Sequence, residues 1–381
     1  MFALEGLAPV DGWTALAILA KTAGYALALL AMGGALFLLV FEREANGGGG
    51  ALERFVRRVT AIAAIVLLAV LALRFGIRSA RISGMGIDGM IDPTMLGFVW
   101  DSPLGSAAVW RGIGAALVLF VLVPGRPALA GGVIGAVLIA VSYAQVGHSL
   151  GEPRWWLGTL LVLHLLAASY WIGALLPLRR VAVSADGAAL LHRFGTIATG
   201  IVGLLVVVGV TFAWLVSGSP VALLGTAYGW TLLAKVALVG VLLGLAALNK
   251  LRLVPALAGG DTSAATALRR SIAWESAAVA LILLATAILT SVTTPPVNLW
   301  APDDPNPSRR RTCLFSIAAA SYLLLPVRSP RQRSCARCPP SPLLRSTNCA
   351  PRRPRRNSCH RSTVRPMSGP SATRSRVRKS V

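Results

Sequence analysis

The sequence predicts an all-α polytopic membrane helix bundle of about eight transmembrane helices, with N-terminus and C-terminus both periplasmic and a disordered basic tail. Three observations predict it. Of 381 residues, 55% are hydrophobic and 13% charged, about half the charged share of a soluble domain. Apolar runs of the roughly 20 residues needed to cross a bilayer recur eight times. Basic residues, finally, concentrate in alternate short loops.

The first run, 13–41, opens at Trp13. It is too long for the apolar core of a signal peptide and has no basic residue before it, so it reads as a true span. The second, 59–82, follows Arg57 and Arg58 and carries Arg74 and Arg78 within it. The third, 104–124, follows Trp100 and Asp101 and carries Arg111. The fourth, 127–147, ends on Gly147-His148-Ser149. The fifth, 156–178, opens on Trp155 and Trp156 and contains His164. The sixth, 195–217, holds no ionisable residue, and the seventh, 227–249, contains Trp230 and Lys235. The eighth, 271–293, follows Arg269 and Arg270 and contains Glu275. Tryptophan near span ends fits the headgroup layer, where an amphipathic ring is most stable. The chain thus divides into a four-span half over 1–152, a second four-span half over 153–300, and a tail over 301–381.

Loop charge sets the orientation. With the N-terminus outside, the inner loops collect Arg43, Arg54, Arg57, Arg58, Arg126, Arg179, Arg180, Arg193, Lys250, Arg252, Arg269 and Arg270. The outer loops then hold Arg81 and Arg154 beside the acids Glu5, Asp11, Asp88, Asp92, Asp101 and Glu152. That asymmetry follows the positive-inside rule.

The net charge of +23 describes two unlike segments. Residues 1–304 carry 19 Lys and Arg against all 14 acids, whereas 305–381 carry 18 basic residues and no acid. All five cysteines also lie in the tail, which excludes a thiolate metal site from the bundle. The tail is rich in Arg, Pro, Ser and Cys and cannot build a core. In a chain whose codons favour Ala, Gly, Val and Leu, a shifted reading frame yields this composition. The tail from roughly residue 305 is therefore expected to be a frameshift product. The rival is a genuine basic tail binding anionic lipid or nucleic acid. The expected partner of the bundle itself is membrane lipid, with no nucleic acid.

Ionisable groups at membrane depth are costly and mark function. Here they are Arg74, Arg78, Arg111, His164, Lys235 and Glu275. His164, eight residues past Trp156, falls roughly 12 Å below the outer surface at about 1.5 Å per residue. Arg74, Arg111 and Lys235 share that outer half. Glu275 enters from the opposite side and is a poor partner for Lys235. The loop between the second and third spans interleaves Met85, Met90 and Met95 with Asp88, Asp92 and Asp101. Thioether sulfur suits Cu(I), and imidazole or carboxylate suits Cu(II). The loop is expected to dip inward, pair its aspartates with the buried cations, and bring its methionines near His148 and His164. The alternative is that the arginines snorkel and the methionines anchor an amphipathic loop. A histidine among Leu and Ala at depth satisfies its ring nitrogens by metal ligation, proton relay, or a bond to a helix carbonyl. His192 and His360 are given no role. No Gly-rich phosphate loop, Ser/His/Asp set or paired carboxylates stand out, so the chain is not expected to be an enzyme.

The segment Leu163-His-Leu-Leu-Ala-Ala-Ser-Tyr-Trp-Ile-Gly-Ala-Leu-Leu-Pro-Leu178 resembles the His-Leu…Trp-x-Gly signature of the copper resistance protein D (CopD) family. Gly147-His148, Arg193-Phe194, Ala227-Tyr-Gly-Trp-Thr-Leu-Leu-Ala-Lys235, Asn249-Lys250 with Pro255, and Arg270 with Glu275 extend the likeness over residues 13–297. The resemblance implies a multi-pass protein of the bacterial inner membrane, acting with a periplasmic carrier of the CopC type in copper uptake or tolerance. Copper ion is then the bound or transported species, and the residues carried over are His148, His164, Trp171, Lys235 and Glu275. The same pattern is similar to the haem-binding spans of HemJ-like proteins. This leaves a haem-binding redox protein as the alternative, and a scaffold for docking a copper carrier as a third reading.

Overall fold

The computed structural model describes residues 10–46, 48–146, 154–182, 187–217 and 222–293. His148 and the whole tail, with its cysteines, lie outside the described residues. Among the described residues, eight helices are long and apolar enough to cross a membrane, and the regular elements are all helical. They are α1 (Gly12–Val40), α2 (Ala51–Ser83), α3 (Pro103–Val118), α4 (Arg126–Ala144), α5 (Arg154–Val181), α6 (Gly187–Ser217), α7 (Ala227–Leu248) and α8 (Thr262–Leu289). A tight turn, Leu119–Leu122, extends α3. A π-helical turn, Asn249–Leu253, carries α7 on into Val254–Ala258.

Side-chain caps fix the helix starts. Asp11 accepts from Thr14 N at 2.8 Å, Thr226 from Gly229 N at 3.1 Å, and Asp261 from Ser263 N at 2.8 Å. Each satisfies an amide that the first turn leaves unbonded. These bonds hold the exposed carboxyls of Asp11 and Asp261 below the usual range. α2 ends on Gly84 at φ 68°, a left-handed cap that glycine adopts without strain.

α1 is the central helix. It packs against α2, α4, α5 and α8, while α3 pairs with α4, α6 lies on α5, and α7 lies on α8. Small residues allow the closest crossing. A Cβ on Gly33 would lie 2.0 Å from Ser169 O and 2.7 Å from Gly173 Cα, so α1 and α5 meet backbone to backbone. Pro177 sits inside α5. Lacking an N–H, it cannot bond the carbonyl four residues back, which is that of Gly173.

Candidate intramembrane polar site

The cations of the first half come first. Arg111 on α3 is 5% exposed; its Nε donates to Ser142 Oγ at 3.1 Å, and its guanidinium sits 3.8 Å above the Tyr143 ring. Lys21 on α1 donates from Nζ to Thr290 O at 2.9 Å and to Ser291 Oγ at 3.2 Å, at the far end of α8. Arg74 on α2 lies beside Gly24 and within electrostatic reach of Lys21 and Arg111. Tyr25 and Tyr143 face each other between these helices at 5.6 Å. Sequence reasoning passed over Lys21. It stands eight residues past Trp13, the same offset that drew attention to His164, so the depth argument already contained the signal.

The expected pairing of the loop aspartates with these cations does not form. Among the described residues the ion pairs are Arg57–Glu53 and Arg193–Glu44, both with partners from the basic loops. Asp92 instead caps the short helix Pro93–Trp100, accepting from Met95 N at 2.8 Å, while Asp88 and Asp101 are exposed. Local capping within three residues outcompetes a long-range pair whose formation would drag the carboxylate out of water. The loop does fold back on α2. Ser79 Oγ donates to Gly89 O at 2.5 Å, and Met90 covers Gly76. Met85 is 48% exposed, and Met95 half-buried. Among the described residues no group of three or more His, Cys, Asp and Glu converges as a metal cage.

The second half of the bundle carries a polar stripe. His164 on α5 is half-buried, with Lys235 of α7 within electrostatic reach. Seven residues on, and so on the same face about 10 Å further along the helix, lies buried Trp171. Its indole is turned to Glu275 of α8, although Nε1 completes no hydrogen bond of good geometry. Glu275 is 4% exposed, and its Oε1 accepts from Asn249 Nδ2 at 2.6 Å. Ser271, one turn back on α8, is buried with its hydroxyl unpartnered, as is Asn249 Oδ1. Lys235 and Glu275 make no ion pair. Of the group around Glu275, Ser271 was not foreseen, and Asn249 entered only through the family resemblance. Neither is ionisable, so a search for charges at depth misses them.

Fold and site together define a multi-pass membrane protein that gathers ionisable and polar side chains inside an apolar bundle. Residues 11–156 match the copper resistance protein D-like N-terminal domain, and residues 188–289 match copper resistance protein D. The chain belongs to the copper resistance protein D family. His164 and Trp171 fall between the two matched stretches. No curated protein and no solved structure matches the chain.

Proposed function

We propose that this protein carries copper inward across the bacterial inner membrane, through its second half, after receiving it from a periplasmic carrier of the CopC type. The observation that carries the reading is the match of both parts of the bundle to copper resistance protein D families. The electrostatics support the route. Lys21, Arg74 and Arg111 make the outer part of the first half hostile to a cation. The second half offers an imidazole, His164, at the same depth. Lys235 opposes a permanently held cation at His164, which suits transfer, since a conducting site must also let its ion leave. On this reading His148, Met85, Met90 and Met95 serve as outer relay ligands. The N-terminus faces the periplasm, as the loop charges require.

The test is the metal content and optical spectrum of the purified full chain beside His164→Ala. Copper bound by the parent and lost in the variant, without a Soret band, supports the proposal. A Soret band lost in the variant assigns the protein to haem redox chemistry instead. Equal copper in both, with no haem, removes His164 from the path and leaves a docking scaffold.

A further inference from the structure

We propose that Glu275 is a proton-binding site inside the bundle, a neutral carboxylic acid at rest that exchanges its proton with the side of the membrane bearing the basic loops. The proposal stands on the membrane bundle and its buried contacts, and does not depend on what cargo the protein moves.

Three observations converge on it. The first is isolation. Glu275 is 4% exposed, and the groups facing it are uncharged: Trp171 from α5, Asn249 from the turn after α7, and Ser271 from its own helix. The nearby cations look elsewhere. Lys250 donates to Thr199 Oγ1, and Arg269 and Arg270 are exposed. Lys21, the membrane-depth cation of α1, is held at Thr290, fifteen residues along α8. A carboxylate taken from water with no cation partner is among the least tolerable groups in a bilayer, and taking up a proton is the remedy chemistry offers.

The second observation is an orphan acceptor. Asn249 gives its Nδ2 to Glu275 Oε1, yet its Oδ1 is buried with no donor, and Ser271 Oγ is likewise unpartnered. Buried acceptors without donors are rare and call for an explanation. An ionised carboxylate cannot supply one, because it only accepts; a protonated carboxyl carries an O–H. With the proton in place, Glu275 keeps the bond from Asn249 and gains one O–H, the donor that its ionised form lacks.

The third is donor chemistry. Carboxyl, amide carbonyl and hydroxyl oxygens are hard ligands, poorly matched to Cu(I), which prefers thioether, thiolate and imidazole. The position differs too, since Glu275 lies six residues past Arg269 on its helix, about 9 Å from the basic boundary. A proton needs only a short hop to reach water there.

The test is infrared spectroscopy of the full chain in lipid vesicles, without copper. The expected result is a carboxylic acid C=O band at neutral pH that shifts on labelling with carboxyl-13C glutamate. The band should vanish in Glu275→Gln and move to higher frequency in Asn249→Leu, where the amide contact is gone. Labelling keeps the test decisive even if the variants fail to fold. Of six glutamates (Glu5, Glu42, Glu44, Glu53, Glu152 and Glu275), only Glu275 lies within a span, so a labelled C=O band at neutral pH points to it. A spectrum holding only carboxylate bands at neutral pH overturns the proposal, as does a C=O band that ignores the label or persists in Glu275→Gln. Because copper is absent throughout, neither result bears on the transport reading.

Discussion

The crossing of α1 and α5 offers the sharpest test of how the bundle holds its site. A methyl group on Gly33 would meet Ser169 O at 2.0 Å and the backbone of Gly173 at 2.7 and 2.9 Å. Carbon atoms settle about 3.5 Å from their neighbours, so Gly33→Ala forces the helices about 1.5 Å apart. Every obstructing atom is main chain, so no side chain can rotate out of the way. The substitution therefore belongs at the upper end of the overpacking range, about 3 kcal/mol. That corresponds to a fall in melting temperature of roughly 6 °C or more. Trp171 stands two residues before Gly173, so the same displacement moves the indole off Glu275. The assay is thermal unfolding of the purified protein in detergent, followed by tryptophan fluorescence. Gly112→Ala is the control, because a Cβ there meets nothing within 4 Å and should leave stability unchanged or slightly improved. A Gly33→Ala protein that melts with the parent would refute the close crossing.

Arg111 and Tyr143 should respond unequally. Tyr143→Leu strands a buried guanidinium with Ser142 alone and is expected to cost about 3 kcal/mol, whereas Arg111→Met removes the charge and costs about 1. The reverse order in thermal unfolding would show that the cation–ring contact is not what holds this charge. The Arg193–Glu44 pair lies at the surface, with side chains 48% and 28% exposed, so Arg193→Ala should cost less than about 1 kcal/mol. Burial is the largest single effect and raises the Glu44 carboxyl, but the hydrogen bond and charge of Arg193, a backbone hydrogen bond and the charge of Arg43 together leave it below its ordinary 4.5. A depressed folded value stabilises above the unfolded one and fades as pH falls through it. The stability difference between parent and Arg193→Ala should therefore be present at neutral pH and vanish in acid. A difference that grows in acid contradicts the assignment.

The eight spans were legible because bilayer thickness writes a length into the sequence. Their ends were not. α2 begins at Ala51 and α8 at Thr262, each about two turns before its apolar run, and α7 continues to Ala258. Hydropathy reports the stretch inside lipid, while helical hydrogen bonds carry on through Arg57, Arg58, Arg269 and Arg270 until a cap or glycine stops them. The site divided along similar lines. His164, Trp171, Lys235 and Glu275 could be named from residue type and depth or from the family pattern. The contact of Asn249 with Glu275 could not, since 26 residues separate them and a neutral amide at a helix end carries no warning. The loop aspartates misled for a physical reason. Opposite charge invites pairing on paper, but a turn-forming residue next to a helix start has a nearer use for its carboxylate.

Packing assigns the two halves different mechanical characters. In the first, Gly34 of α1 lies under Thr60 of α2, whose Oγ1 a Cβ would overlap, while Gly33 on Gly173 ties α1 to α5 of the second half. Gly114 and Gly135 bring α3 and α4 equally near. Contacts of backbone on backbone leave few alternative arrangements, so this half behaves as a frame. The second half is looser. No residue of the central apolar stretch of α7 is buried, and only 17% of the corresponding stretch of α6. α7 is instead fastened at its ends, by Ala227 and Tyr228 at one and by Asn249 and Val254 at the other. A helix pinned at both ends and little packed between them moves at low cost there, and that is where Lys235 lies. Glu275 grips the pinned end through Asn249.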